Sequence, residues 1–275
     1  MSSRKKKECK DKNVPDAPKH QKMLPTRERE TPGEIKVYGL HACLALARNR
    51  IHDVIRVYCS DQRIKDLSSL LHWCAKNRRA YHVISAAELN QVSGSMHHEG
   101  VCILAREKSQ PSFDQCLRSL KTCKQKTMLL YLGGITNPFN LGAIVRVAAH
   151  FGVYAILIDS ESELTISGAV YRVAEGGIEH VPIVRLPIPH QDLKEIKKAG
   201  FQLIATTPKA KLSVFKVKLG VKVVFMLGSE ATGLSKAILD IADKTVTIPG
   251  TGFIESLNLS AAASIVAAQF AGSRG

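Results

Sequence analysis

The sequence predicts an α/β fold: a parallel sheet covered on both faces, preceded by a smaller α/β unit. Short apolar runs alternate with helically spaced segments through the C-terminal half. Those runs are near-continuous rather than every-second-residue apolar, as strands buried on both faces require. The chain has 275 residues, enough for one large or two modest domains with a real core. With 45% hydrophobic and 23% charged residues, a fibrous or wholly disordered chain is excluded.

Residues 1–33 hold ten Lys/Arg against five Asp/Glu, four prolines and almost no aliphatic residues, so they read as a disordered basic tail. Folded sequence begins near Ile35. Residues 34–108 then give a helix over Gly39–Ala47, a strand over Val54–Cys59 and a helix over Arg63–Lys76. Strands follow at Tyr81–Ile84 and Val101–Arg106. Residues 109–126, opening on Gln110-Pro111, read as a linker or linker helix.

The last segment, 127–275, starts with a strand at Met128–Leu132, a helix over Asn140–Phe151 and a strand at Tyr154–Ile158. A helix over Ser167–Glu175, a strand at Val181–Leu186 and a helix over Gln191–Ala199 continue the alternation. Strands at Phe201–Ala205 and Val221–Leu227, a helix over Ser235–Ile241, a strand at Thr245–Ile248 and an Ala-rich helix over Ser256–Phe270 complete it.

Lys+Arg 39 against Asp+Glu 24 gives +15, spread over all three segments; nucleic acid is the first partner such an excess suggests, a solubilising charge on a small-molecule enzyme the second. Seven cysteines without a C-x-x-C pair argue against a disulfide framework or zinc site. His97-His98-Glu99 lacks a further ligand at metal-site spacing and reads as a polar loop. No P-loop, G-x-S-x-G elbow, H-E-x-x-H or G-x-G-x-x-G turn occurs. No apolar run reaches a membrane span, and the basic first thirty residues carry no secretory h-region, so a cytoplasm is the expected compartment.

In open α/β sheets, ligands bind in loops after the strand carboxyl ends. Three such loops here are unusually polar. The first, Gly133–Arg146, offers Asn140 as a candidate helix cap and Arg146 nearly two turns into an apolar helix; a surface ion pair is the plain alternative for Arg146. The second, Gly228–Ser235, holds glycines that permit close ligand approach, with Glu230 as ion-pair partner or site acid. The third, Ile248–Asn258, contains Ser256 and Asn258, either of which could simply cap the last helix.

The runs N-P-F-N-L-G-A-I-V-R-V-A-A-H-F-G (137–152), G-S-E-A-T-G-L-S (228–235) and I-P followed by S-L-N-L-S (248–260) resemble the three motifs of SpoU-type (TrmH-like) RNA ribose 2′-O-methyltransferases of the SPOUT superfamily. The likeness covers about 127–270. Residues 37–106, beginning Y-G-L-H-A, resemble the L30e-like RNA-binding domain attached to many members.

The resemblance implies an α/β-knot fold with a C-terminal trefoil knot, S-adenosylmethionine as cofactor, RNA as substrate and a homodimer. It places Thr206, Gly228, Ile248 and Leu257 at the cofactor. Arg146 would contact RNA and assist removal of the 2′ proton, held with the motif loops by Asn140 and Glu230. Ser256 and Asn258 would position the ribose and the cofactor's methionine end. Arginine is effectively always protonated in proteins, so an orienting role for Arg146, with phosphate or water taking the proton, is favoured over its acting as the base. The accessory domain favours rRNA over tRNA.

Two positions depart from the family pattern. Gly250 follows Pro249 where many relatives have Met, and Glu99 stands between His98 and Gly100 where relatives often have Gln. A non-catalytic RNA-binding or ribosome-assembly protein retaining the fold is the alternative. Base methylation of tRNA is a third reading.

Overall fold

The computed structural model describes residues 31–273, so all but the last three residues of the basic tail lie outside the described residues. Two sheets form. In the first, β1 (Glu34–Tyr38), β2 (Val54–Cys59), β3 (Ala80–Val83) and β4 (Val101–Arg106) run in the order β1-β4-β2-β3. β4 is antiparallel to both neighbours, and β2 pairs parallel with the edge strand β3. Helices α1 (Leu40–Arg50), α2 (Ser68–Lys76) and α3 (Ala86–Ser93) connect them.

Two of these elements escape the sequence reading. β1 carries two charged residues among five and follows directly on the basic tail, so its alternation is short and diluted. α3 has only Leu89, Val92 and Ser93 buried, yet a capping box marks its start: Ser85 and Glu88 exchange side-chain and backbone hydrogen bonds. The helix expected from Arg63 begins as a 3₁₀ turn at Asp61–Arg63 and becomes α-helical only at Ser68.

The chain then forms α4 (Phe113–Thr122), where the sequence reads as a linker or linker helix. A Ser112–Gln115 capping box opens this helix, and Cys116, Leu117 and Leu120 are buried against the second sheet. It is a packed layer of that sheet, because its apolar residues fall on one face.

That second sheet is entirely parallel. Its strands are β5 (Thr127–Gly133), β6 (Ala155–Asp159), β7 (Ile183–Leu186), β8 (Gln202–Thr206), β9 (Lys222–Gly228) and β10 (Lys244–Val246), in the order β10-β8-β9-β5-β6-β7. Helices α5 (Pro138–Phe151), α6 (Gly168–Ala174) and α9 (Leu259–Gly272) cover one face, packing on Leu130, Leu132, Ile156 and Phe225. α4, α7 (Pro189–Lys198) and α8 (Lys236–Leu239) cover the other, packing on Leu129, Leu157, Val224 and Met226. Alternate residues of one strand thus feed opposite cores, which accounts for the unbroken apolar runs.

The strand order places the site. From β5 the chain moves outward to β6 and β7, then crosses back to β8, β9 and β10. β5 and β9 are therefore neighbours at a topological switch point, with Gly133 opposite Gly228 at their carboxyl ends. Five of the six described cysteines are buried, as small hydrophobes in these cores. Among the described residues no helix is long and apolar enough to cross a membrane.

The two sheets meet along α6 and the turn after it. Gly168 lies so close to β1 that a Cβ would stand 2.4 Å from the Lys36 carbonyl oxygen. Arg50 of α1 makes Nε bonds to both carboxylate oxygens of Glu179, at 3.1 and 3.0 Å, and donates to the Arg106 carbonyl at 2.6 Å. Lys108 donates to the Ile178 carbonyl at 2.6 Å.

Candidate active site

The loop after β5 leads into α5 through Asn137, whose side chain accepts from the Phe139 amide at 2.8 Å. Asn137 is the cap of α5; the sequence reading gave that place to Asn140. Pro138 explains the difference: its fixed φ and missing N–H suit the first helical position, so the helix starts before Asn140. Asn140 is left free to reach elsewhere.

It reaches Glu230. Asn140 Nδ2 donates to Glu230 Oε1 at 3.2 Å, and Asn258 Nδ2 donates to the same oxygen at 2.8 Å and to Asn140 Oδ1 at 3.1 Å. The Leu259 amide adds a third donor to Glu230 Oε1 at 3.0 Å. All three polar loops therefore converge on one carboxylate oxygen. Asn258 also caps α9, accepting from the Ser260 amide at 2.9 Å, so capping and site contact are one residue's two ends. The last helix accordingly begins at Leu259 rather than Ser256, which is exposed with no hydrogen bond among the described residues.

Arg146 does not join this network. Asn140 and Arg146 are six positions apart on α5, about 120° around the helix, so they project from different faces. The Arg146 Nη1 lies 2.9 Å from Glu175 Oε1, and the expectation that Asn140 and Glu230 hold Arg146 is corrected accordingly.

Two of the residues expected at the cofactor, Thr206 and Gly228, end strands, while Ile248 and Leu257 lie between β10 and α9. Gly228 closes β9, and a Cβ there would stand 2.1 Å from the Gly233 carbonyl carbon, so any side chain would push the 229–233 loop away. Thr206 closes β8 and its hydroxyl donates to the Met226 carbonyl at 3.1 Å. Ile248 packs partly against the core and Leu257 is exposed. Residues 249–257 make no backbone–backbone hydrogen bond among the described residues, and a Cβ at Gly250 or Gly252 would meet open space. A loop with free main-chain groups beside apolar side chains fits a heteroaromatic ring held through the backbone, and so fits an adenosyl cofactor.

Sequence reasoning passed over two site residues. Asp159, at the end of β6, accepts from the Tyr131 hydroxyl at 2.7 Å and from the Gly134 amide at 3.0 Å, fixing the start of the first loop. Burial, then the Asp159 hydrogen bond and charge, push the Tyr131 hydroxyl far above its ordinary pKa, so it stays a donor. A lone Asp ending the apolar run A-I-L-I-D is a signal that could have found it. Glu175 carries no comparable signal. A cavity of about 810 Å³ opens on this side, lined by Thr136, Asp159, Glu161, Ser162 and His190. None of the four expected cofactor residues lines it.

Residues 127–268 match the SpoU rRNA methylase family, and residues 36–111 match the RNA 2′-O ribose methyltransferase substrate-binding family. The chain belongs to the SpoU rRNA methylase family. As a member it is an RNA ribose 2′-O-methyltransferase. It is 35% identical over 238 residues to an uncharacterized tRNA/rRNA methyltransferase, YfiF, of Escherichia coli, covering 86% of this chain and 68% of that one. A Haemophilus influenzae protein of similar description is 34% identical over 72% of this chain; the match spans 56% of that relative's own length. The 23S rRNA (guanosine-2′-O-)-methyltransferase RlmB of Nitrosomonas europaea is 29% identical, covering 83% of this chain and 88% of its own. Among solved structures, the SpoU methyltransferase AviRb of Streptomyces viridochromogenes in complex with AdoMet has the same fold, with a TM-score of 0.70 at 21% identity over 88% of this chain and 91% of that one.

Proposed function

We propose that this SpoU-family chain methylates ribose in rRNA, rather than tRNA, and acts as a cytoplasmic homodimer whose 127–275 segment carries the chemistry and, with the family, the C-terminal knot. Residues 34–108 grip the RNA, joined through 109–126, and the basic tail of residues 1–33 adds phosphate contacts. The observation that carries the site assignment is the convergence of Asn140, Glu230 and Asn258, one from each motif loop, on a shared set of hydrogen bonds. A scaffold that served RNA binding alone has no need of it.

The cofactor, when bound, supplies an activated methyl group, so the protein must orient the ribose and help its hydroxyl lose a proton. Thr206, Gly228, Ile248 and Leu257 hold the cofactor, largely through main-chain groups. Glu230 fixes the geometry of Asn140 and Asn258, leaving its Oε2 without a hydrogen bond among the described residues. Ser256 and Asn258 place the ribose. Arg146 orients ribose and phosphate with the remaining donors of its guanidinium. Support for the dimer comes from an apolar surface flanking the site: Phe139 is 58% exposed, Phe253 91% and Ile254 79%, beside Leu257 at 48%.

The test is methyl transfer from labelled S-adenosylmethionine to total RNA prepared from cells lacking the protein, read by nucleoside mass spectrometry. A 2′-O-methylnucleoside in the rRNA fraction, made by the wild type and not by Arg146→Ala, is expected. Label appearing in tRNA alone would overturn the choice of rRNA; cofactor binding without transfer to any RNA would overturn the catalytic reading.

A further inference from the structure

Arg146 takes its carboxylate partner from outside the three motifs. Glu175 follows α6 with φ 46° and ψ 44°, a left-handed conformation that suits glycine or asparagine and strains a glutamate. Backbone geometry therefore gives no reason for this side chain, while the 2.9 Å contact with Arg146 Nη1 gives one.

The turn that carries Glu175 is held from both sides. A Cβ on Gly176 would lie 2.5 Å from the Ala45 Cβ of α1, and one on Gly177 would lie 2.9 Å from the Val145 carbonyl of α5. Three residues before Glu175, Arg172 donates to the His97 carbonyl at 2.8 Å and pairs with Glu99 at 3.5 Å. Four residues after it, Glu179 pairs with Arg50. The loop before β4 and helix α1 thus clamp the segment on either side of Glu175, and the carboxylate facing Arg146 has a fixed origin.

We infer that Glu175 is a positioning residue for Arg146. It occupies one edge of the guanidinium and directs the remaining N–H groups toward the bound RNA. The inference rests on the role proposed above for Arg146.

Glu175→Gly separates positioning from structural support, because it removes the carboxylate and relieves the left-handed strain together. In the full-length protein, its melting temperature is expected to equal or exceed that of the wild type. Its kcat is expected to fall roughly ten- to hundredfold, the loss typical of a misplaced orienting group, with KM for RNA little changed. Glu175→Gln keeps an acceptor at the same reach and should recover most of the rate. An independent readout is the ¹⁵N-labelled Nε–H resonance of Arg146, assigned by its loss in Arg146→Lys; it should shift and broaden in Glu175→Gly and return toward the wild-type position in Glu175→Gln. Unchanged kcat, a parallel fall in melting temperature and kcat, or an unmoved Arg146 resonance would each overturn the inference. Should the wild type methylate no RNA, the proposed function fails, and the Arg146 resonance alone still decides whether Glu175 positions it.

Discussion

Oε1 of Glu230 accepts a hydrogen bond from Asn258 Nδ2 at 2.8 Å, joining the loop after β9 to the N-cap of α9. The same oxygen takes Asn140 Nδ2 and the Leu259 amide, so three chain segments share one acceptor. In Glu230→Ala all three donors lose it. The site is exposed, so water replaces much of the bonding and stability should fall by only about 1–2 kcal/mol. Methyl transfer should fall by more than about a hundredfold, because loop geometry within an ångström matters to rate. Glu230→Gln keeps an Oε1 acceptor and should retain most activity. Melting curves and single-turnover transfer on the same preparations check this; a rate loss no larger than the stability loss explains would refute it.

Arg146→Lys isolates orientation from proton removal. Lysine keeps a positive charge near phosphate but loses the planar fork that can hold Glu175 and RNA together. Measurable transfer, reduced roughly ten- to hundredfold, is expected from Lys and none from Ala. Complete loss in Arg146→Lys with RNA and cofactor binding intact would show that Arg146 does more than orient.

How far the site was legible follows from what kind of pattern each residue belongs to. Asn140, Glu230 and Asn258 stand after apolar strands or before an apolar helix, where polarity beside an apolar run is visible in one dimension. That Asn137 rather than Asn140 caps α5 was also readable, from Pro138 directly after it. Glu175 was not, since its significance depends on how α6 packs on α5. Gly142 permits that packing: a Cβ there would stand 2.7 Å from the Val173 Cβ. The parallel sheet was plain because both its faces are buried. β1 was missed because two charges dilute its five residues, α3 because it buries only a narrow stripe, and α4 was underrated because its one apolar face sits in a polar stretch.

The junction between the two sheets depends on a buried ion pair. The Glu179 side chain is 1% exposed and that of Arg50 11%. Glu179→Ala leaves Arg50 with Asp53 at 3.3 Å as its remaining carboxylate. Removing one partner of a buried pair costs roughly 3–5 kcal/mol. Chemical denaturation should show the midpoint falling, with protection from hydrogen exchange lost first in α1 and the 168–179 segment. A variant as stable as the wild type would mean the junction's other contacts, among them Arg172 with His97 and Glu99 and Lys108 with Ile178, hold it without this pair.

Stability should also respond to pH through His98. Burial, opposed in part by a hydrogen bond to Ala86, holds its imidazole below the ordinary pKa of 6.5. Its Nδ1 accepts from the Gly100 amide at 2.9 Å, a bond only the neutral ring can make. With the folded-state pKa depressed, the stabilisation is full above pH 6.5 and is lost as pH falls below that value toward the folded-state pKa. His98→Asn retains an acceptor and removes the titration. Melting temperatures between pH 8 and pH 5 should therefore drop for the wild type and be flatter for the variant; parallel curves would exclude His98 as the source.

Gly228 offers the sharpest test of the cofactor assignment. A methyl group there would stand 2.1 Å from the Gly233 carbonyl carbon and 2.3 Å from the Leu234 nitrogen, both main-chain atoms that cannot swing aside. Gly228→Ala must therefore displace the 229–233 segment while leaving β9 paired with β5 through the preceding residues. Overpacking of this kind costs about 1–3 kcal/mol, which an intact core tolerates. Calorimetric titration with S-adenosylmethionine should show affinity weakened by more than about tenfold, since the Gly228 main chain shifts and Glu230, which ties this segment to Asn258 at the end of the 249–257 loop, shifts with it. RNA affinity should change little, because the 34–108 unit and the charged surface are untouched. Equal losses for cofactor and RNA would mean general disruption, and unchanged cofactor affinity would remove Gly228 from the binding site.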